Sequence, residues 1–149
     1  MSLKSKDGTT DILSYRPPVS PMVDRGPQPP ADQVAPPWRL LLQIGGENRT
    51  TLGVSVTERM LVGREDAKKG IFPEIDFSPF DGATNGVSRE HALITCEDGA
   101  LYLEDLNSTN GTRINGFQLT PGRAYRLRDG DELEFGRLRA VLRFVRPSR

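Results

Sequence analysis

One cysteine and one histidine are all that 149 residues contain of either type. Cys96 alone cannot form a disulfide within the chain, and Cys96 with His91 cannot complete the four-ligand His/Cys set that holds structural zinc. An excess of either charge is missing too. Twenty Lys and Arg residues face twenty Asp and Glu, for a formal net charge of zero, whereas a nucleic-acid-binding domain usually shows a basic excess. No stretch approaches the roughly 18 consecutive apolar residues of a membrane span, and Met1-Ser2-Leu3-Lys4 begins no apolar signal region. Nor does any segment repeat its apolar residues with a helical period, and no phosphate-binding P-loop motif is present. These absences leave the expectation of a cytoplasmic protein with no metal, no cofactor, no nucleic-acid partner and no membrane partner.

What the chain does contain falls into two materials. Eight of its twelve prolines lie in residues 1–37, where four acids (Asp7, Asp11, Asp24, Asp32) balance four bases (Lys4, Lys6, Arg16, Arg25) and apolar residues are few. Such a segment buries too little surface to offset the entropy of ordering it. It is expected to be a disordered, Pro-rich tail over residues 1–37, followed by one domain over 38–146 and a short C-terminal tail at 147–149.

From Trp38 onward the pattern is that of strands. Trp38, Leu40 and Leu42 alternate with Arg39, Leu41 and Gln43, with Trp38 expected as a core anchor; Gly45-Gly46-Glu47-Asn48 reads as a turn, and Thr51–Val56 and Arg59–Val62 as further strands. Ala67–Asn85, with Gly70, Pro73, Pro79 and Gly82, reads as a long loop in which only Glu74–Phe77 is a candidate strand. Thr112–Ile114 and Phe117–Leu119 flank Asn115-Gly116, the strongest two-residue hairpin signal. Tyr125 and Leu127, then Leu133 and Phe135, then Leu138, Ala140, Leu142 and Phe144 continue the alternation, with a turn at Asp129-Gly130. Many short strands joined by Gly-centred turns predict an all-β sandwich or barrel. Cys96, in mid-strand, reads as a small buried hydrophobe.

The stretch Val87–Thr112 organises the rest. Ala92, Ile94 and Cys96 share one parity and Leu101 and Leu103 share another after Glu97-Asp98-Gly99-Ala100, so the segment predicts a β-hairpin. Its two ends carry Ser88-Arg89 and Ser108-Thr109-Asn110. Antiparallel strands return the chain, so both ends leave the same edge of the sheet. Hydroxyls, an amide and a guanidinium gathered there suit an anion better than a core.

Gly63-Arg64, Ser88-Arg89-Glu90-His91-Ala92, Asp105-Leu106-Asn107-Ser108-Thr109-Asn110-Gly111-Thr112 and Asn115-Gly116, in that order, resemble the forkhead-associated (FHA) domain family over roughly Trp38 to Val145. The resemblance implies an FHA/SMAD-like antiparallel β-sandwich, here of about eleven short strands. It implies binding of phosphothreonine peptides through loops at one end, without catalysis; FHA domains are among the known readers of phosphorylated motifs. The expected partners are a phosphothreonine-containing protein or peptide and an upstream Ser/Thr kinase.

Carried over residue by residue, the resemblance assigns the phosphate to Arg64, Ser88, Arg89 and Thr109, and the backbone of the bound peptide to Asn110. A guanidinium fork matches a phosphate, and such charge-assisted bonds are about twice as strong as neutral ones. An exposed Arg64 paired with Glu65 or Asp66 is the plainer alternative. The resemblance gives Ser88 both its hydroxyl and its backbone N–H as anion donors. Gly63, His91 and Gly111 support the site, with Asp105 and Ser108 as loop braces. Ser88 and His91 could be drawn as a catalytic dyad, but no nucleophile elbow or oxyanion motif accompanies them. Family members also read the third residue after the phosphothreonine, through loop positions near Asn85-Gly86 and around Asn107–Asn110 or Gly136. Asn85 and Gly86 supply neither a charge nor a deep apolar group. Thr9 and Thr10, in the tail, are candidate phosphoacceptors. The competing function is a phospho-independent sandwich that serves as a scaffold for assembly or self-association.

Overall fold

Alternation of apolar and polar residues commits the segments after Trp38 to strands, and a computed structural model describes residues 38–45 and 50–146. Eleven strands lie among the described residues: β1 (Arg39–Ile44), β2 (Thr50–Ser55), β3 (Arg59–Gly63), β4 (Ile75–Asp76), β5 (Glu90–Glu97), β6 (Ala100–Asp105), β7 (Thr112–Ile114), β8 (Phe117–Gln118), β9 (Ala124–Leu127), β10 (Glu132–Phe135) and β11 (Leu138–Val145). Five form one sheet in the order β9-β6-β5-β3-β4, and six form the other in the order β2-β1-β11-β10-β7-β8. Every pairing is antiparallel except β3 with β4, where Val62 meets Ile75 and Gly63 meets Asp76 in parallel register. A tight hairpin can only reverse the chain, whereas the long connection from Arg64 to Glu74 brings it back in the same direction. The tail at 1–37, the C-terminal residues 147–149 and most of the turn after Gly45 lie outside the described residues.

Two hairpins follow from their turn residues. β5 and β6 pair up to Glu97 with Ala100, leaving Asp98 and Gly99 as a two-residue loop. Their φ values of 52° and 78°, like the 50° and 83° of Asn115 and Gly116 between β7 and β8, are the double left-handed conformation that Asp-Gly and Asn-Gly tolerate best. The long Ala67–Asn85 segment is more ordered than a plain loop. It folds into two 3₁₀ turns, Ala67–Lys69 and Ser78–Phe80, around the two-residue β4.

Facing sides of the sheets share one core. Met60, Val62, Ile94, Leu101, Leu103 and Leu127 from the first sheet meet Leu40, Leu42, Ile114, Leu133, Phe135 and Leu142 from the second, all fully enclosed. Trp38 is half-buried against this core, with the Arg146 guanidinium 5.6 Å from its ring. Cys96 is also half-buried, and burial pushes its thiol pKa up, away from reactivity. Arg126, on the opposite parity from Tyr125 and Leu127, is nonetheless buried. Alternation assigns a residue to a face of its sheet and is silent about what covers that face.

Candidate functional site

Strand β3 ends at Gly63 because its neighbour presses against it. An ideal β-carbon on Gly63 would stand 1.9 Å from the Arg89 carbonyl oxygen, so any larger residue would force the two loops apart. The pairing of β3 with β5 also slips at this point, between Val62 and Gly63. The chain then delivers Arg64 against the segment that carries Ser88. Arg64 N–H donates to the Arg89 carbonyl at 3.1 Å, and Arg64 Nε donates to the Val87 carbonyl at 2.6 Å. Arg64 therefore straddles Ser88, bonded to the residue on each side of it. Its Nε anchor fixes the guanidinium plane, while the two terminal nitrogens make no hydrogen bond among the described residues. The pairing with Glu65 or Asp66 does not form.

Asp66 is taken by a different cation. Arg89 Nη1 lies 2.7 Å from Asp66 Oδ2, and this bond holds the Asp66 carboxyl below the usual carboxylate range. Both groups are partly open to solvent, which limits what such a pair adds to stability. Arg89 thus stands next to the site with its charge already partnered. Asp76 pairs with Gly63, the residue before Arg64; burial works against its ionisation, but bonds from the Ser78 N–H and hydroxyl and the Glu65 N–H, with the Arg64 charge, keep its pKa low.

The second loop is tied to the first by Ser88 itself. Thr109 N–H donates to Ser88 Oγ at 3.2 Å, leaving the hydroxyl proton available to another acceptor. The Ser88 backbone N–H does not point to an open position. It donates to His91 Nδ1 at 2.9 Å. Of the two groups that the resemblance assigned to the anion, the hydroxyl is thus the one still available.

His91 is fully buried, and its Nε2–H donates to the Gly111 carbonyl at 2.9 Å. With Nδ1 accepting and Nε2 donating, the ring is the neutral Nε2–H tautomer. Burial pushes its pKa below the ordinary imidazole value, opposed by the Gly111 bond and the Asp105 charge. The ring stands edge-on to Phe135, centroids 5.7 Å apart. Both nitrogens are bonded to backbone groups, so Ser88 Oγ and His91 do not form a catalytic dyad.

The Asp105–Thr112 loop is wound around one buried carboxylate. Asp105 accepts from Ser108 Oγ and Thr112 Oγ1, each at 2.6 Å, and from Ser108 N–H at 3.1 Å. Ser108 Oγ in turn accepts from Gly111 N–H. This leaves Thr109 and Asn110 exposed at the loop's crest. Asn110 Nδ2 donates to the Gly86 carbonyl at 2.9 Å, with its Oδ1 and second N–H still open to a ligand. Arg64, Ser88, Thr109 and Asn110 accordingly form one continuous surface, with Gly63, His91 and Gly111 beneath it.

Sequence reasoning missed one neighbour of that surface. Arg137, in the turn between β10 and β11, donates its Nη2 to the Thr84 carbonyl at 2.6 Å. Its backbone N–H donates to the Asn85 carbonyl at 2.8 Å. The strand pattern marks Gly136-Arg137 as a turn; which end of the sandwich that turn occupies is set by sheet order.

Comparisons with known proteins agree with this arrangement. The FHA domain family model matches residues 60–136, just over half the chain. Protein FraH of Nostoc sp. is 46% identical over 65 residues, which are 44% of this chain and 22% of FraH. The oxoglutarate dehydrogenase inhibitor of Corynebacterium diphtheriae is 35% identical over 89 residues, 60% of this chain and 58% of the inhibitor. The chain therefore spans less than two thirds of either relative. Among solved structures, the FHA domain of an Arabidopsis thaliana hypothetical protein superposes with a TM-score of 0.60 at 27% identity, covering 83% of this chain and 98% of that one. An FHA domain solved in a study of phosphothreonine-dependent FHA interactions gives 0.55 at 25% identity, covering 74% and 99%. Fold, loop geometry and family model agree: the chain belongs to the forkhead-associated domain family.

Proposed function

We propose that the domain, residues 38–146, binds phosphothreonine in a partner protein. The observation that carries this reading is Arg64 straddling Ser88 while Ser88 Oγ is held by Thr109 N–H. A dianion placed there would meet the open Arg64 nitrogens and the Ser88 and Thr109 hydroxyls, all charge-assisted donors. Asn110 would fix the register of the peptide backbone, since an amide both donates and accepts as a peptide unit requires. Arg89 contributes by leaving or sharing Asp66. The reaction that matters is performed elsewhere, by a cytoplasmic Ser/Thr kinase that writes the mark; this domain binds without catalysis.

Affinity is expected on the order of micromolar, about −8 kcal/mol, because one dianion and a few peptide bonds make a small contact and ordering the ligand opposes it. The test is a titration of one peptide sequence carrying phosphothreonine, phosphoserine or unmodified threonine. Phosphothreonine should bind at least about tenfold more tightly than phosphoserine if its extra methyl is buried on binding. Three superimposable curves would favour the phospho-independent scaffold.

A further inference from the structure

Among the described residues each sheet ends in two strands with an open edge, and one of these edges is both long and uncharged. β4 and β8 are two residues each, and β9 is four residues that include Arg126. β2 is six residues, Thr-Thr-Leu-Gly-Val-Ser, with no charge, no proline and no break in its register with β1. Thr50, Thr51, Gly53 and Ser55 are exposed. Soluble proteins ordinarily shorten, charge, bulge or cover such an edge, because its free N–H and C=O groups template further pairing.

Which groups β2 presents follows from its pairing. Val56 N–H donates to the Trp38 carbonyl at 2.9 Å, and on the other side of β1 Gly45 N–H donates to the Arg139 carbonyl. Antiparallel ladders alternate, so Leu52 and Val54 turn their backbone groups to β1, while Thr51, Gly53 and Ser55 turn theirs to the open edge. A second copy laid antiparallel about a two-fold axis at Gly53 uses all three. Thr51 then meets the other copy's Ser55, Gly53 meets Gly53, and each pair exchanges both backbone bonds. Neighbouring registers leave Thr51 or Ser55 beyond the end of the other strand. On the outer face the Thr51 and Ser55 hydroxyls face each other, a favourable cross-strand pair. Toward the core, half-buried Leu52 lies opposite Val54.

Arg39 opposes this pairing. Its Nη1 donates to Ser55 Oγ at 3.1 Å, and its Nη2 lies 2.7 Å from where a Gly53 β-carbon would be. It has no carboxylate partner among the described residues, so the axis brings two guanidiniums near each other over the paired glycines. Both are exposed, and salt screens such a repulsion. We propose that the chain self-associates by antiparallel pairing of β2 with β2 of a second copy, joining two six-stranded sheets into one. An interface of one strand edge is below the standard size, so the pair forms at protein concentrations on the order of 100 μM. Arg64, Ser88, Thr109 and Asn110 take no part in it, so pairing goes beyond phosphate binding and places two such sites on one assembly.

The experiment is sedimentation velocity of the unphosphorylated full chain over concentrations from about 10 to 500 μM, which bracket that affinity. Wild type should move from monomer toward dimer across the range. Thr51→Pro removes an outward N–H and no bond to β1; it should stay monomeric while keeping the wild-type Tm. Charge reversal reads the symmetry, because the axis sets residue 39 against its own copy. Arg39→Glu mixed with wild type, one of them carrying a fluorophore, should pair about three- to tenfold more tightly than either protein with itself. Wild type that is monomeric throughout, a dimer that Thr51→Pro leaves intact, or a mixture no tighter than wild type alone would each overturn the proposal. If Thr51→Pro does not fold, the mixture decides.

Discussion

Arg64 and His91 carry opposite burdens, and substitution should separate them. Arg64→Ala removes the guanidinium at the centre of the site but loses only one side-chain bond, to Val87. It should abolish phosphothreonine binding while lowering stability by about 1 kcal/mol or less. His91→Ala leaves the Ser88 N–H and the Gly111 carbonyl without their partner and opens a void beside Phe135. A loss of about 2–4 kcal/mol is expected, readable as a lower Tm or denaturant midpoint. The reverse pattern would mean that their roles are exchanged. His91 also sets a pH dependence. Its folded pKa lies below the ordinary 6.5, so the unfolded chain takes up a proton first as pH falls. The stability from the neutral ring is complete above about pH 6.5 and is lost as pH drops below it. Denaturant midpoints at pH 7.5 and 5.5, compared between wild type and His91→Gln, should show a decline in wild type that the variant lacks in part. At this scale motif order in the sequence nominates candidate residues, and the structure brings Arg64, Ser88, Thr109 and Asn110 together. Motif order does not reveal their bonds, because Arg89 pairing with Asp66 and Ser88 N–H pairing with His91 depend on angles that motif spacing leaves open.

Strands and turns differ in how openly the sequence announces them. Asp98-Gly99 and Asn115-Gly116 mark their hairpins because left-handed residue pairs admit few side chains. The stretch from Arg64 to Val87 carries no such period, and its ties to the rest of the fold, Phe77 N–H to the Gly63 carbonyl and Asp66 to Arg89, are ones that local pattern cannot express. Gly63 illustrates the point, for its requirement arises from Arg89, distant in sequence. Gly63→Ala should cost about 2 kcal/mol or more through the clash with the Arg89 carbonyl, and should lose phosphopeptide binding as the two loops separate. Gly116→Ala is the control: its φ is 83° but nothing lies within 4 Å of the added carbon. It should cost about 1 kcal/mol and leave binding intact. Equal effects on binding would show that the junction at Gly63 does not position the site.

For the molecule as a whole, β1 pairs with β11, so that strands from the two ends of the domain close the six-stranded sheet. Periodicity alone could not distinguish that sandwich from a barrel; the ordered motifs could. The tail permits a test at the same scale. Thr9 and Thr10 precede Trp38 by just under 30 residues, and a flexible chain of that length would span roughly 26–32 Å at 5–6 Å × √n. If they are phosphorylated, the tail competes for the site at an effective concentration on the order of millimolar. Kinase treatment should then weaken external phosphopeptide binding by the wild-type chain and leave a Thr9→Ala/Thr10→Ala chain unaffected. Equal affinities after treatment would leave the tail as a tether. The claim beneath all of these is that phosphate is bound where Arg64 straddles Ser88. It is tested most directly by following backbone amide resonances as a phosphothreonine peptide is added to the full chain. The largest shifts should fall at Arg64, Ser88, Thr109 and Asn110 and vanish with the unphosphorylated peptide. Shifts centred on another face, or identical with both peptides, would contradict it.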